Sequence, residues 1–339
     1  MSKKICVNIV SESDISVQGH GVHTAYIEMV NALKKQPDVT VTTGRFGEQL
    51  SCDIVHLHTV GLKTWSKLRQ KGPKKVISAH VVPDSFVGSL ILAKYWRFAA
   101  VWYLKWFYNQ ADLLLAVSQQ TKQDLLAIGV TAPIEVLYNF IDTTRYKTPA
   151  ISQSDVRKKL HIPNDSFVVI GAGQVQPRKR IDSFFAAAKT LPDVYFVWVG
   201  GMPFGKVAAD NVHMEEMIQS APKNVIFTGI VQLDEMVSYY HAADMFWLPS
   251  EQETFGLVVV EAAAAGLPVM LRDIPDYQDT FGTNALVGVT NDDFCTYITT
   301  LRSDPSILKQ WKQKSKRIAK QFDSKLAAAR LVEMYRQLL

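Results

Sequence analysis

At 339 residues, 47% of them hydrophobic and 20% charged, the chain has enough apolar material for two separately cored domains, which excludes a disordered or fibrous protein. The formal charge of +5 is unevenly spread: residues 1–145 hold 16 Lys and Arg against 11 Asp and Glu, whereas residues 146–339 hold 21 of each. Cys6, Cys52 and Cys295 have no paired or metal-type spacing, and the opening MSKKICVNIV reads as a strand and not as a secretory leader, so a reducing cytoplasm is expected.

In chain order, the apolar runs KICVNIV (4–10), VTVTT (39–43), DIVHLH (53–58), KKVISAH (74–80) and DLLLAVS (112–118) predict strands, the first followed by a helix over 24–35. Thr-Thr and Lys-Thr-Pro interrupt the pattern at 142–150, where a linker is expected. The pattern resumes with FVVIGAGQV (167–175), VYFVWVGG (194–201), NVIFTGI (224–230), MFWLPS (245–250) and PVML (268–271), separated by helices such as those over 181–190 and 234–241. Strands alternating with helices predict parallel sheets covered by helices, so the fold class is α/β, with two Rossmann-like doubly wound domains over 1–145 and 146–323. The last segment, 324–339, reads as an amphipathic helix.

The most informative stretch is SEQETFGLVVVEAAAAGLP (250–268), which sets Glu253 and Glu261 eight positions apart across the start of an apolar helix. That helix is expected to begin near Phe255 and Gly256 and to stop at Gly266, because Pro268 forbids continuation. Unpaired amides and the positive end of the helix dipole at Phe255 and Gly256 suit a diphosphate, and carboxylates on either side can accept hydrogen bonds from sugar or ribose hydroxyls. Acids also stabilise first helical turns without any ligand, so spacing alone leaves both readings open.

Arg178 and Lys179 follow the strand FVVIGAG, at the carboxyl end of a parallel strand where ligands bind in such sheets. Two cations there can neutralise a departing diphosphate; the alternative is a solvated basic turn. Gly171-Ala172-Gly173 invites a dinucleotide reading, but Gln176 replaces the third glycine and Asp193 precedes the next strand instead of ending it. Gly19 and Gly21 permit a close backbone approach to a phosphate or sugar, as they would permit a simple loop. His80 ends an apolar strand and is singled out among eight histidines, while His56 and His58 read as structural. No cluster has metal-ligand spacing, so no metal is expected.

Between Asp53 and Asp112 stand nine basic residues and one acid, Asp84, which implies an anionic partner surface. The segment KYWRFAAVWYLKWFY (94–108) holds eight of the 35 aromatics and three of the seven tryptophans. Read as a helix, it sets Lys94, Arg97 and Lys105 on one stripe beside Trp102 and Trp106, the pattern of an interfacial helix; three cations exclude a membrane span. A core helix with snorkelling cations is the alternative. Contiguous aromatics and the lack of any recognised module argue against nucleic acid.

Together with glycine punctuation at Gln18-Gly19-His20-Gly21, the segments DIVHLHT (53–59), VISAH (76–80), LYNFID (137–142), GQVQPRKR (173–180) and FTGIVQLDEM (227–236) resemble retaining glycosyltransferases of family 4 over nearly the whole chain. Within that family the pattern looks most like bacterial enzymes that glycosylate diacylglycerol lipids. The resemblance implies a GT-B fold, two Rossmann-like domains facing a cleft, with the helix at 324–339 crossing back to the first domain.

It further implies a UDP-galactose or UDP-glucose donor, no cofactor or metal, a glycolipid acceptor such as monoglucosyl-diacylglycerol, and an enzyme peripheral on the inner face of the cell membrane. By the same resemblance Glu261 accepts from the ribose, Ile230 and Val231 approach the base, Arg178 and Lys179 take the diphosphate, Glu253 orients a sugar hydroxyl, and His80 contacts the sugar. The matching family segment carries an arginine directly after the glycine, where this chain has Gln174; Arg178 is expected to supply that charge. A polyprenyl-linked or wall-polymer acceptor, a non-catalytic membrane scaffold and, least favoured, an oxidoreductase are the other readings.

Overall fold

In the computed structural model the described residues are 4–12, 21–43, 51–82, 93–202 and 210–339, with 93–97 and 210–213 described by backbone alone. The chain divides into two units, one formed by residues 1–142 with 322–339 and the other by 143–321. The break at Asp142 stands three residues before the boundary read from the sequence.

In the first unit, strands β1 (Ile5–Val10), β2 (Val39–Thr43), β3 (Ile54–Leu57), β4 (Lys74–Ala79), β5 (Leu113–Ala116) and β6 (Ile134–Val136) form one sheet in the order β2-β1-β3-β4-β5-β6. Every pairing is parallel. All residues of β3 and β5 are buried, His56 of β3 included, as in strands covered on both faces. The connecting helices are α1 (Gly21–Lys34), α2 (Leu62–Leu68), α3 (Ala93–Tyr108) and α4 (Gln119–Ala127), the last capped by the Ser118 side chain accepting from Thr121 N at 3.0 Å. The strand β6 is absent from the sequence reading because Glu135 interrupts its apolar residues, so IEV forms no continuous apolar run.

The second unit contains α5 (Gln153–Lys159), β7 (Phe167–Ala172), α6 (Ile181–Thr190), β8 (Val194–Val199), α7 (Asp210–Gln219), β9 (Val225–Phe227), α8 (Leu233–Ala242), β10 (Met245–Leu248), α9 (Leu257–Ala264), β11 (Val269–Arg272), α10 (Pro275–Phe281), β12 (Leu286–Gly288), α11 (Asn291–Ser303) and α12 (Pro305–Gln321). Its parallel sheet runs β12-β11-β10-β7-β8-β9. Phe184 on α6 stacks on Trp247 of β10 at 4.7 Å and meets Trp198 of β8 edge-on at 5.1 Å, which joins the helix to the sheet centre.

The final helix, α13 (Ser324–Leu338), returns to the first unit. Ala328, Leu331, Val332 and Tyr335 pack with Tyr26, Met29, Val30 and Leu33 of α1 in one apolar cluster. Asp323 caps it through Lys325 N at 3.0 Å, and the Ile141–Asp323 bridge fixes where it re-enters. Removing the helix would strip that cover from α1.

One expectation is corrected. The basic run at 63–75 does not present all its charge to solvent: Lys63 and Lys67 are buried, and Lys63 donates to the Ser11 carbonyl at 3.1 Å, because the start of α2 is tied to residues 11 and 12 just after β1. Glu12 accepts from Lys63 N and from Thr64 N and so satisfies the start of that helix. Arg69 stacks over Trp65 at 3.9 Å, and Lys74 stands 3.5 Å from Asp112.

Candidate active site

At the carboxyl end of the second sheet, β7 leads into Gly173 and a loop closed by a 3-10 turn at Pro177–Lys179. Gly200, at the end of β8, lies so close that a Cβ there would stand 2.1 Å from the Gly173 carbonyl oxygen, and its φ of +137° also favours glycine. The indole of Trp198 donates to the same oxygen at 3.0 Å. The neighbouring strand ends are thereby locked, and the loop that carries Arg178 and Lys179 starts from a fixed point.

This loop is stapled to the one after β10. Glu251 N donates to the Arg178 carbonyl at 2.9 Å, Arg178 Nη1 donates to the Gln252 carbonyl at 2.9 Å, and Arg180 Nη1 reaches Glu251 Oε2 at 3.0 Å. Arg180 adopts a left-handed conformation, φ 51° and ψ 49°, uncommon for a residue with a side chain. Its guanidinium grips Asp182 through Nε and Nη2, which helps to offset the strain.

Glu253 stands at the centre. Lys179 Nζ donates to its Oε1, and Arg178 Nη1 lies 3.4 Å from the same oxygen. Both members of the Lys179–Glu253 pair are buried, with side chains 8% and 9% exposed. Burial pushes the Lys179 amine below its usual range, with Glu253 opposing and Arg178 adding to the shift. Burial alone would raise the Glu253 carboxyl, but Lys179 and Arg178 outweigh it and hold the group below the usual range. A carboxylate so placed is an acceptor at neutral pH, not an acid.

The arginine is itself held by a relay. Gln174, which follows Gly173, accepts from Gln176 Nε2 at 2.9 Å, and Gln176 Oε1 accepts from Arg178 Nε at 2.9 Å. Gln174 therefore supplies no charge but anchors the side chain that positions one. The alternation 174, 176, 178 was open to a sequence reading, which linked Gln174 with Arg178 but gave Gln176 no part beyond replacing a glycine.

Helix α9 starts two residues after Phe255 because Gly256 is its N-cap, in a left-handed conformation with φ 84° and ψ 62°. The Tyr277 hydroxyl would lie 3.2 Å from a Cβ at Gly256; it is buried and has no hydrogen-bond partner among the described residues. Burial first, then Glu253, push its pKa well up, so it is a neutral potential donor beside the helix start. Nothing in the sequence marks it. The Phe255 ring is core, packed on Phe281 at 6.0 Å, which leaves only its backbone for a ligand role. Glu261 is buried farther along the helix and accepts from the Tyr240 hydroxyl at 2.8 Å. Ile230, 60% exposed, and the half-buried Val231 lie in the turn after β9, and Ile230 flanks Gly201.

In the first unit His80 belongs to a buried group and does not stand alone. Its Nε2 lies 3.2 Å from His58 Nδ1 with the two rings stacked, and His56 Nδ1 meets the Tyr335 hydroxyl of α13 at 2.5 Å. His56 Nε2 pairs with Ser78 Oγ at 2.8 Å, and His58 Nε2 lies 3.0 Å from Met29 Sδ. Burial lowers the pKa of His80 to about 4; burial with the neighbouring His80 lowers that of His56 to about 3, so both are neutral at physiological pH. Gly21 is the first residue of α1, while Gly19 lies outside the described residues.

Helix α3 has two faces. Leu104, Phe107 and Tyr108 are fully buried, whereas Phe98 is 85% and Trp102 65% exposed, with Lys105 and Trp106 also exposed. The core reading holds for one face and leaves an aromatic stripe on the other; the Lys94 and Arg97 side chains lie outside the described residues. Among the described residues no helix is long and apolar enough to cross a membrane, and no group of three or more His, Cys, Asp or Glu is gathered as metal ligands.

Two parallel six-stranded sheets with flanking helices, and a cation-rich loop facing a glutamate at a helix start, define a glycosyltransferase of the GT-B fold. Residues 152–318 match the model for glycosyl transferases group 1, and residues 11–145 match that for glycosyltransferase family 4. The chain is 32% identical over 327 residues to alpha-galactosylglucosyldiacylglycerol synthase of Streptococcus pneumoniae, covering 94% of this chain and 86% of that one. It is also 32% identical over 231 residues to the processive diacylglycerol alpha-glucosyltransferase of Acholeplasma laidlawii, covering 67% and 68%. The fold is that of sucrose-phosphate synthase from Thermosynechococcus elongatus, with a TM-score of 0.80 at 17% identity over 99% of both chains. Anabaena HepE in complex with UDP and glucose is similar at 0.78 and 20%, over 97% of this chain and 99% of that one. The chain belongs to glycosyltransferase family 4.

Proposed function

We propose that this glycosyltransferase moves a hexose, galactose or glucose, from a UDP-sugar to monoglucosyl-diacylglycerol at the inner face of the cell membrane, with retention at the anomeric carbon. The observation that carries the reading is the convergence of Lys179 and Arg178 on Glu253 beside the start of α9. Two fixed cations at a strand end stabilise charge on a departing diphosphate more than any base could, and they need no reorganisation when charge develops. In the reaction the bond from the anomeric carbon to the phosphate oxygen breaks, the acceptor oxygen bonds to the same face, and the leaving phosphate takes the acceptor's proton.

On this reading a bound diphosphate lies against Lys179 and Arg178 where Glu253 holds them, and the Glu253 carboxylate accepts in addition from a sugar hydroxyl. The Phe255 and Gly256 amides lie near that group, Glu261 accepts from the ribose, and the Ile230–Val231 turn meets the base. In the first domain, residues 1–145, Gly19, Gly21 and His80 serve the sugar and acceptor side; the second, 146–323, holds the nucleotide. The exposed face of α3, with Trp102, Lys105 and Trp106, suits the headgroup region of an anionic bilayer, where Lys94 and Arg97 would add charge.

The test is transfer from radiolabelled UDP-glucose and UDP-galactose to diacylglycerol, monoglucosyl-diacylglycerol or a soluble saccharide in anionic liposomes. Labelled lipid with monoglucosyl-diacylglycerol alone is the expected result, and equal transfer to the soluble saccharide without liposomes would overturn the acceptor assignment. Gln176→Leu, which releases Arg178 Nε but leaves its bond to the Gln252 carbonyl, is expected to lower kcat/KM for the donor roughly fivefold, through both a raised KM and a lowered kcat. An unaltered kcat/KM would show that the relay does not position the arginine.

A further inference from the structure

The balance of 21 basic and 21 acidic residues over 146–339 hides a local concentration. Helix α12 holds Lys309, Lys312, Lys314, Lys316, Arg317 and Lys320 and no acid, and the stretch between Asp304 and Asp323 has none either. At 100° per residue, Lys309, Lys312, Lys316 and Lys320 fall on one stripe, with Arg317 at its edge. The opposite side buries Ser315 and Ile318, and the helix packs against α9, the helix that begins beside Glu253. Lys309, Lys316, Arg317 and Lys320 are exposed and Lys312 is half-buried, while Lys314 turns aside to lie over the Trp311 ring at 3.8 Å. None of the six forms an ion pair with a carboxylate among the described residues, although a surface helix usually interleaves both signs. Asp304 caps the helix through Ser306 N at 2.8 Å and Ile307 N at 3.3 Å, so its charge is spent at the end remote from Lys316 and Lys320.

We infer that the lysine stripe of α12 is a docking surface for anionic lipid headgroups, a contact made by the nucleotide-binding unit itself and separate from the aromatic face of α3. The helix is about 25 Å long, enough to lay its charges across several headgroups. Polybasic segments bind such surfaces by summed electrostatic attraction, without an apolar anchor, and the attraction falls off within a Debye length. Trp311 is half-buried in the packing side and the stripe carries no aromatic, so this contact is electrostatic, whereas α3 offers exposed aromatic area. The inference rests on the membrane reading above, but not on which acceptor is used.

The test is co-flotation of the full chain with phosphatidylcholine vesicles, with and without 30% phosphatidylglycerol, comparing wild type with K309Q/K312Q/K316Q/K320Q. At about 1 kcal/mol per lysine near an anionic surface, the loss of four lysines is expected to lower partitioning to the anionic vesicles roughly 1,000-fold. The wild-type binding should fall steeply with salt and be absent on phosphatidylcholine alone. Thermal melting and UDP affinity without vesicles, expected to match wild type, show that the variant is folded. Anionic-vesicle binding equal to wild type in a folded variant would overturn the inference, as would wild-type binding to RNA but not to vesicles. Failure of monoglucosyl-diacylglycerol as acceptor with lysine-dependent flotation intact would count against the acceptor alone.

Discussion

Lys179→Met is expected to lower kcat/KM for the UDP-sugar about a thousandfold, with the larger part in kcat. The side chain is buried and ion-paired with Glu253, with little water around it; burial lowers its pKa and the Glu253 carboxylate opposes that shift. A preorganised charge of this kind acts most strongly on the charge that develops on the leaving diphosphate. Methionine retains much of the volume but leaves Glu253 with Arg178 as its neighbouring cation. Glu253→Gln should also slow turnover by orders of magnitude while preserving shape, whereas Glu253→Ala would add the cost of an uncompensated buried ammonium, about 3–5 kcal/mol. Single-turnover rates with saturating donor and calorimetric UDP affinity separate these effects. Near-normal turnover in Lys179→Met would remove the lysine from the catalytic machinery.

Acid should weaken the first unit well before it titrates any paired carboxylate. His56 and His80 are neutral when folded, with pKa values of about 3 and about 4 against 6.5 for the free side chain, and His58 is lowered too, by burial and by both neighbours. The unfolded chain therefore binds more protons below pH 6.5, so stability is fully present above that value and falls as the pH drops toward 4. For His80 alone the loss at pH 4 is about 3 kcal/mol. Among the described residues Tyr335, Ser78, Met29 and the Tyr26 ring contact the cluster, and none of these four carries a charge. Urea midpoints measured from pH 7.5 to 4.5 should decline through this window, with net proton uptake on unfolding at pH 5.5. His56→Gln should flatten the decline; an unchanged midpoint across the window in wild type would refute the assignment.

Much of this was legible in the chain because the signals are local. Continuous apolar runs marked ten strands, and Gly266 and Pro268 marked the end of α9, whereas the spacing of Glu253 and Glu261 by itself left a ligand site and a plain acid-decorated helix start both open. The short strands β6 (IEV) and β12 (LVG) escaped, whereas β9, equally short, was marked because it sits in the longer apolar run 224–230. The sequence also ranked His80 apart from His56 and His58. The fold joins them, since β3 and β4 are adjacent and parallel, with His56 paired to Val76 in register.

By itself the sequence determined the class of fold, the family and the residue types of the loop at 173–180, because each is read from motifs whose residues stand a few positions apart. Tertiary structure alone decided which charges are free. Lys63 and Lys67 in the first unit are buried while the stripe on α12 is open, although all are lysines in basic runs. It decided too that Arg178 and Lys179 both meet Glu253, 74 residues away from Lys179, and that Gln174 and Gln176 aim the arginine. The physical reason is that burial and electrostatic partners are set by packing between segments distant in the chain, and no local pattern encodes which of them will meet.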